Sequence, residues 1–82
     1  MNKEIAIVDD DKEIAHIENL TLAKEGYPVK VYPDGTSFLA SLKTGKPALV
    51  ILDLMLPDID GLSLLKKLRE DKANSDIDVI IV

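Results

Sequence analysis

The chain has 82 residues, 46% of them hydrophobic and 30% charged, which predicts one small globular domain and excludes a disordered chain. Its net charge of -5 argues against nucleic acid and anionic membrane as partners of this segment, and the absence of cysteine excludes disulfide and thiolate chemistry. No segment approaches the ~18 apolar residues of a membrane span, and the start lacks the apolar stretch of a signal peptide, so we expect a cytoplasmic protein.

Apolar runs alternate with helical patterns along the whole chain. In chain order, the sequence predicts a strand at 4–8, a helix at 11–25, a strand at 29–32, a short helix capped by Thr36 or Ser37, a strand at 48–53, a helix at 62–71 and a strand at 79–82. The order β-α-β-α-β-α-β calls for a parallel sheet with right-handed helical crossovers, which is the α/β class.

The first predicted helix has an imperfect apolar stripe. Ile14, Ile17 and Leu22 lie toward one side of the helix, but Glu18 and Thr21 fall between them. Acids at its beginning suit the positive end of the helix dipole.

Two of the apolar runs end in acidic residues. Asp53 ends the third predicted strand, and Asp9, Asp10 and Asp11 follow the first. If these two strands are parallel neighbours, their carboxyl ends meet at the edge of the sheet where open α/β folds bind ligands. Clustered carboxylates repel one another, so such a cluster needs a cation or a proton. The pattern predicts a magnesium-dependent site that accepts a phosphoryl group.

Several polar residues have simpler interpretations. Acids before a helix are common as caps, and we assign Asp11 to that role. Asp58 and Asp60 are interpreted as solvated loop acids, because the string they form with Gly61 lacks the spacing of a calcium loop. His16, the only histidine, is expected on a helix surface in contact with solvent.

Four segments of the chain carry a family resemblance. Together they closely resemble the receiver domain of two-component response regulators. The segments are 5–11 (IAIVDDD), 26–27 (GY), 34–35 (DG) and 52–61 (LDLMLPDIDG). The resemblance is greatest to the branch whose full-length members carry a DNA-binding domain after the receiver. It implies a doubly wound, flavodoxin-like parallel sheet with strand order 2-1-3-4.

The resemblance also implies roles for individual residues. Asp53 would be the phosphoacceptor, and a sensor histidine kinase would supply the phosphoryl group from a phosphohistidine. Asp10 would bind Mg²⁺ directly, Asp9 directly or through water, and Met55 through its backbone carbonyl. Carboxylate, carbonyl and phosphoryl oxygens suit the hard, near-octahedral Mg²⁺ ion. Because the acyl phosphate forms on the protein itself, we expect no enzyme in the usual sense.

Receivers that resemble this chain have a fifth strand and two further helices. They also have a Ser or Thr just after the fourth strand and a Lys at the end of the fifth. We therefore expect residues 1–82 to be the amino-terminal part of a single receiver domain, truncated after the fourth strand. Without the hydroxyl and the Lys, Mg²⁺ binding should be weak at best and phosphotransfer slow or undetectable.

An incomplete sheet also predicts self-association. The apolar strand 79–82 would lie at an open edge, and unpaired apolar edges invite pairing, so we expect a homo-oligomer, in the simplest case a dimer. The alternative function is an inactive half-sheet that acts as a self-associating structural fragment. A phosphohydrolase with an aspartyl nucleophile is discounted, since Met55 stands where the general acid of an Asp-x-Asp motif belongs.

Overall fold

Strands and helices alternate in the predicted order in the computed structural model, which describes residues 3–82. The elements are β1 (Ile5–Val8), α1 (Lys12–Lys24), β2 (Val29–Tyr32), α2 (Gly35–Ser41), β3 (Leu49–Leu52), α3 (Gly61–Glu70) and β4 (Asp78–Ile81). Where the sequence predicted both ends of an element, the observed bounds differ by one residue at most, which is the ordinary variation at element ends.

The four strands form one parallel sheet in the order β2-β1-β3-β4. This confirms the flavodoxin-like arrangement expected from the sequence. In the central pair, Ile5 lies opposite Leu49 and Val8 lies opposite Leu52. Because the two strands run in the same direction and in register, the residues after Val8 and Leu52 leave the sheet side by side. The fold thus determines where the strand-end acids meet.

The core lies between one face of the sheet and the helices α2 and α3. Alternate residues of the central strands meet apolar residues of these helices, and the buried cluster is Ala6, Val8, Phe38, Val50, Leu52, Leu64, Leu68 and Ile77. Phe38 is fully buried and meets the ring of Tyr32 edge to face at a centroid distance of 5.6 Å. This core holds the central strands, and therefore their ends, in a fixed register.

The opposite face of the sheet is only partly covered. Helix α1 packs against β1 and β2 and buries Ala15, while Ile14 and Ile17 are 50% and 62% exposed. Two of the three residues in the imperfect apolar stripe of this helix, Ile14 and Ile17, are therefore exposed in the described structure. Ile80 on β4 is 50% exposed. Strand β4 lies at one edge of the sheet, whereas α1 packs against β1 and β2, toward the opposite edge.

Each helix begins at an aspartate whose side chain accepts a backbone N–H of the first turn. Asp11 caps α1, as the sequence predicts, and Asp60 caps α3. The predicted cap of α2 was wrong, because Asp34 rather than Thr36 or Ser37 occupies that position. Among the described helices, none has the length and apolar character needed to cross a bilayer.

Candidate functional site

Three carboxylates converge where β1 and β3 end. Asp9 and Asp10 follow β1, and Asp53 follows β3. One carboxylate oxygen from each of the three residues lies within 4.8 Å of the others. The structure therefore brings together the acids that the sequence analysis placed in one pocket, because their strands are parallel neighbours in register.

Backbone hydrogen bonds fix the two strand ends. The N–H of Asp9 donates to the carbonyl of Tyr32 at 3.0 Å, and the N–H of Asp53 donates to the carbonyl of Val8 at 2.9 Å. Backbone groups also orient the side chains, since Asp9 Oδ1 accepts the N–H of Asp11 at 2.9 Å and Asp53 Oδ1 accepts the N–H of Met55 at 3.1 Å. These bonds hold one oxygen of Asp9 and one oxygen of Asp53 against the backbone.

The loop after Asp53 folds back onto the end of β3. The N–H of Gly61 donates to the carbonyl of Leu54 at 2.8 Å, and Met55 forms an antiparallel bridge with Asp60. A Cβ at Gly61 would lie 2.7 Å from the Asp53 carbonyl oxygen and 2.8 Å from Leu54 Cα, so this approach requires glycine. The fold-back places Met55 beside the three acids, in the wall of the same cavity.

Asp9 is the buried member of the group and is 6% exposed. Burial raises the pKa of its carboxyl, and the neighbouring charges of Asp53 and Asp10 raise it further, whereas the hydrogen bond from the N–H of Asp11 lowers it. The ionised cluster is therefore destabilised by its own charge. A divalent cation would remove that cost.

Glu18 is a further acid near the site, and its position in the middle of α1 breaks the apolar pattern of the helix. Its Oε1 atom is buried and has no hydrogen-bond partner among the described residues. Burial raises its pKa, and the charges of Asp9 and Asp53 add to the rise. Sequence analysis noted the interruption at Glu18 but did not connect it with the site.

A cavity of about 590 Å³ lies over the strand ends. Its walls are formed by Asp9, Asp10, Asp11, Ile14, Glu18, Asp53, Met55 and Val82. Within residues 3–82, no lysine or arginine contributes to these walls. Carboxylate oxygens are the ligands that Mg²⁺ prefers, and uncompensated carboxylates favour a cation over an anion, so the donor set fits a hard divalent ion.

The other acids near the site have structural partners. Asp11 accepts the N–H groups of Glu13 and Ile14 at 3.0 and 3.2 Å, which agrees with its expected role as a cap. Asp58 and Asp60 are exposed, as the sequence predicts, but each also accepts hydrogen bonds from the chain. Asp60 caps α3, and Asp58 binds the beginning of α2.

Comparison with known proteins identifies the family. The sequence profile of the response regulator receiver domain matches residues 5–82, which is nearly the whole chain. The chain belongs to the response regulator receiver family. This confirms the family resemblance carried by the four sequence segments.

Named relatives of this receiver are regulatory proteins. It is 44% identical over 70 residues to the regulatory protein VanRc of Enterococcus gallinarum. This match covers 85% of this chain and 30% of VanRc. It is 42% identical over 72 residues to the alkaline phosphatase synthesis transcriptional regulatory protein PhoP of Bacillus subtilis, covering 88% of this chain and 30% of PhoP. The chain thus spans about a third of the length of these curated relatives.

Solved structures share the fold of this receiver. A crystal structure of a putative response regulator from Chloroflexus aurantiacus superposes with a TM-score of 0.94 at 30% sequence identity. The match covers 99% of this chain and 66% of the Chloroflexus chain. The strand order and the helix placement are therefore those of a receiver.

Proposed function

We propose that this receiver accepts a phosphoryl group on Asp53 with Mg²⁺ held by Asp9, Asp10, Asp53 and the backbone carbonyl of Met55. The observation that supports this most strongly is the convergence of the three carboxylates at the adjacent ends of β1 and β3. Membership of the receiver family supports the same assignment. The proposal makes the chain a signalling module rather than a classical enzyme.

The chemistry is a transfer onto the carboxylate of Asp53. A carboxylate oxygen of Asp53 attacks the phosphorus of a phosphohistidine, the P–N bond breaks, and the histidine nitrogen leaves with the electron pair, which gives an acyl phosphate. The hydrogen bond from the Met55 N–H orients the attacking carboxylate. A bound Mg²⁺ would supply positive charge to the phosphoryl oxygens, and Asp9 and Asp10 would hold the ion.

The partner that we propose as phosphodonor is a sensor histidine kinase, and the expected location is the cytoplasm. The parent protein is proposed to bind DNA, since one relative that is 39% identical over 71 residues is the DNA-binding response regulator MtrA of Mycobacterium tuberculosis. The match covers 87% of this chain and 31% of MtrA. The net charge of -5 argues against binding of nucleic acid by this segment itself.

The 82-residue segment alone should be a slow phosphoacceptor. The walls of its cavity supply only acids and apolar groups within residues 3–82, so no protein cation offsets the phosphoryl charge. We expect measurable but weak Mg²⁺ binding and phosphorylation slower than that of a complete receiver. We place the segment in the amino-terminal part of a single receiver domain.

Phosphorylation by a small phosphoramidate tests the proposal. With Mg²⁺ present, peptide mapping by mass spectrometry should place one phosphoryl group on Asp53. Asp53→Asn should abolish the modification, and Asp10→Asn should slow it at least tenfold because it removes a metal ligand. Asp71→Asn, at an exposed acid beyond α3, is the matched control and should leave the rate unchanged.

Modification of another residue, or an equal rate with Mg²⁺ removed, would contradict the proposed site. A rate equal to that of a complete receiver would contradict the expected slowness of this segment.

The alternative function is a self-associating structural fragment, favoured by one specific observation. The outer edge of β4 has no pairing strand within residues 3–82, and Ile80 and Val82 are 50% and 60% exposed. Apolar strands at open edges promote pairing with a second copy. A monomer by light scattering at micromolar concentration would contradict this alternative, and a dimer that neither binds Mg²⁺ nor accepts phosphoryl groups would favour it.

A further inference from the structure

Asp58 ties the loop after Asp53 to the first turn of α2. Its Oδ1 accepts the N–H of Gly35 at 2.9 Å, and its Oδ2 accepts both the N–H of Thr36 at 2.7 Å and the Thr36 hydroxyl. Three donors on two consecutive residues thus hold one carboxylate. The contact spans more than 20 residues of sequence, and it joins two elements that the parallel sheet brings together.

The contact between Asp58 and α2 is strengthened by charge and by an adjacent apolar contact, although Asp58 is exposed to solvent. The hydrogen bonds from Thr36 and Gly35 lower the pKa of the Asp58 carboxyl to about 2, so the carboxylate stays ionised through the neutral range. The neighbouring Ile59 packs against Gly35, which is buried and has no room for a side chain toward Ile59. The loop tip is therefore held by a charged anchor and an adjacent apolar contact.

Helix α2 is a firm support for this anchor. Its Phe38 is fully buried in the core, and Asp34 caps its first turn by accepting the N–H of Ser37 at 2.7 Å. The beginning of the helix is therefore fixed relative to the sheet. The hydrogen bonds of Asp58 to this turn therefore fix the position of the loop relative to the sheet.

The anchored loop is the one that carries Met55. The loop is held at its base by the Gly61 N–H to Leu54 carbonyl bond and by the bridge between Met55 and Asp60. Met55 itself is 81% exposed, so side-chain packing contributes little to its placement. Within residues 3–82, the contacts of Asp58 and Ile59 with α2 restrain the outer half of the loop.

We propose that Asp58 and Thr36 are a positioning pair, which holds the 54–60 loop so that the Met55 carbonyl completes the cation site. This inference rests on the proposed function, because it assigns the pair a role in the binding of Mg²⁺. Neither residue touches the ion or the phosphoryl group. Their effect passes through the loop backbone.

Mg²⁺ titration by calorimetry tests the pair, with the free energy of unfolding measured for every variant. Thr36→Val removes the hydroxyl and leaves all charges in place, so a change in affinity cannot come from altered net charge. Thr36→Ser restores the hydroxyl. Asp58→Ala removes the whole anchor, and Asp76→Asn, which breaks the exposed pair with Lys46 far from the site, is the control for charge removal.

We expect the Kd for Mg²⁺ to rise roughly tenfold in Asp58→Ala, which is the low end of the cost of losing a partner that supports a metal ligand. Thr36→Val should give a smaller rise and Thr36→Ser the wild-type value. The double variant Thr36→Val with Asp58→Ala should match Asp58→Ala alone, since both act through one contact. Asp76→Asn should bind as the wild type does.

Two results would overturn the proposal and have different meanings. If the wild type binds Mg²⁺ and Thr36→Val and Asp58→Ala bind it equally well, the pair only stabilises the fold and the proposed function stands. If the wild type does not bind Mg²⁺ at all, the proposed function fails and the positioning role fails with it.

Discussion

At the scale of single residues, Glu18 places a carboxylate beside Asp9 and Asp53 with a buried oxygen that no described residue satisfies. A charge in this position costs free energy, because it is partly removed from water and repelled by its neighbours. The position lies inside α1, whose pattern otherwise calls for an apolar residue there. Glu18 is therefore expected to weaken the fold when the site holds no cation.

Glu18→Gln should stabilise the metal-free protein at pH 7 by about 0.5 kcal/mol. Burial raises the pKa of Glu18 in the folded state, so the protonated side chain is tolerated and the ionised one is not. The stability that depends on protonated Glu18 is fully present below the ordinary pKa of 4.5 and is lost as the pH rises through the raised pKa. The difference from wild type should therefore vanish below pH 4.5. Urea unfolding at several pH values measures it.

Glu70→Gln, at an exposed position in α3, is the matched control and should show no such dependence on pH. An equal stability of wild type and Glu18→Gln at pH 7 would contradict the uncompensated charge.

The residues that the sequence places correctly are those whose position follows from the strand pattern. Asp9, Asp10 and Asp53 end two apolar runs, and a parallel sheet brings such ends together. The contact of Asp58 with Thr36 could not be predicted in this way. It depends on how far the loop folds back toward α2, which no local pattern encodes.

At the scale of elements, the turn from β3 into α3 depends on Gly61. Gly61→Ala should destabilise the protein by about 2 kcal/mol, since its Cβ would clash with the backbone at Asp53 and Leu54. It should also weaken Mg²⁺ binding, because the displaced loop carries Met55. Thermal unfolding and a Mg²⁺ titration measure the two effects.

Gly45→Ala provides the control for Gly61→Ala. A Cβ at Gly45 meets no atom within 4 Å, so this change should leave both stability and Mg²⁺ affinity close to the wild-type values. If Gly61→Ala were equally silent, the close approach of the turn to the strand end would be wrong.

The sequence predicted the elements well because their apolar periodicity is strong, but the beginning of α2 shows what such patterns leave open. Asp34, Thr36 and Ser37 are all good capping residues. Only the folded position of the chain selects Asp34, whose Oδ1 accepts the N–H of Ser37. Thr36 is thereby left to donate to Asp58.

At the scale of the whole molecule, the described residues form a buried core on one face of the sheet and cover the other face in part. Exposed apolar side chains on the partly covered side include Ile14, Ile17 and Ile80. The sequence pattern of α1 shows an imperfect apolar stripe but does not show how much of that stripe the sheet covers. Exposed apolar area of this kind favours association.

Ile80→Lys should therefore shift the segment toward the monomer, because a charge on an edge strand opposes edge pairing. Leu62→Lys, at an apolar position on α3 that is 62% exposed and outside the sheet, is the control and should leave the association unchanged. Sedimentation at several protein concentrations measures the shift. Equal association of wild type and Ile80→Lys would exclude β4 as the contact.

The most direct measurement on the site uses Mn²⁺ as a paramagnetic substitute for Mg²⁺ in a two-dimensional NMR spectrum of the protein. If the ends of β1 and β3 form one cation site, substoichiometric Mn²⁺ should broaden the amide signals of Asp9, Asp10, Asp53 and Met55 first, and excess Mg²⁺ should restore them. Broadening centred on other acids, such as Asp71 and Asp76, or spread evenly over the acidic surface, would contradict a single site at these strand ends.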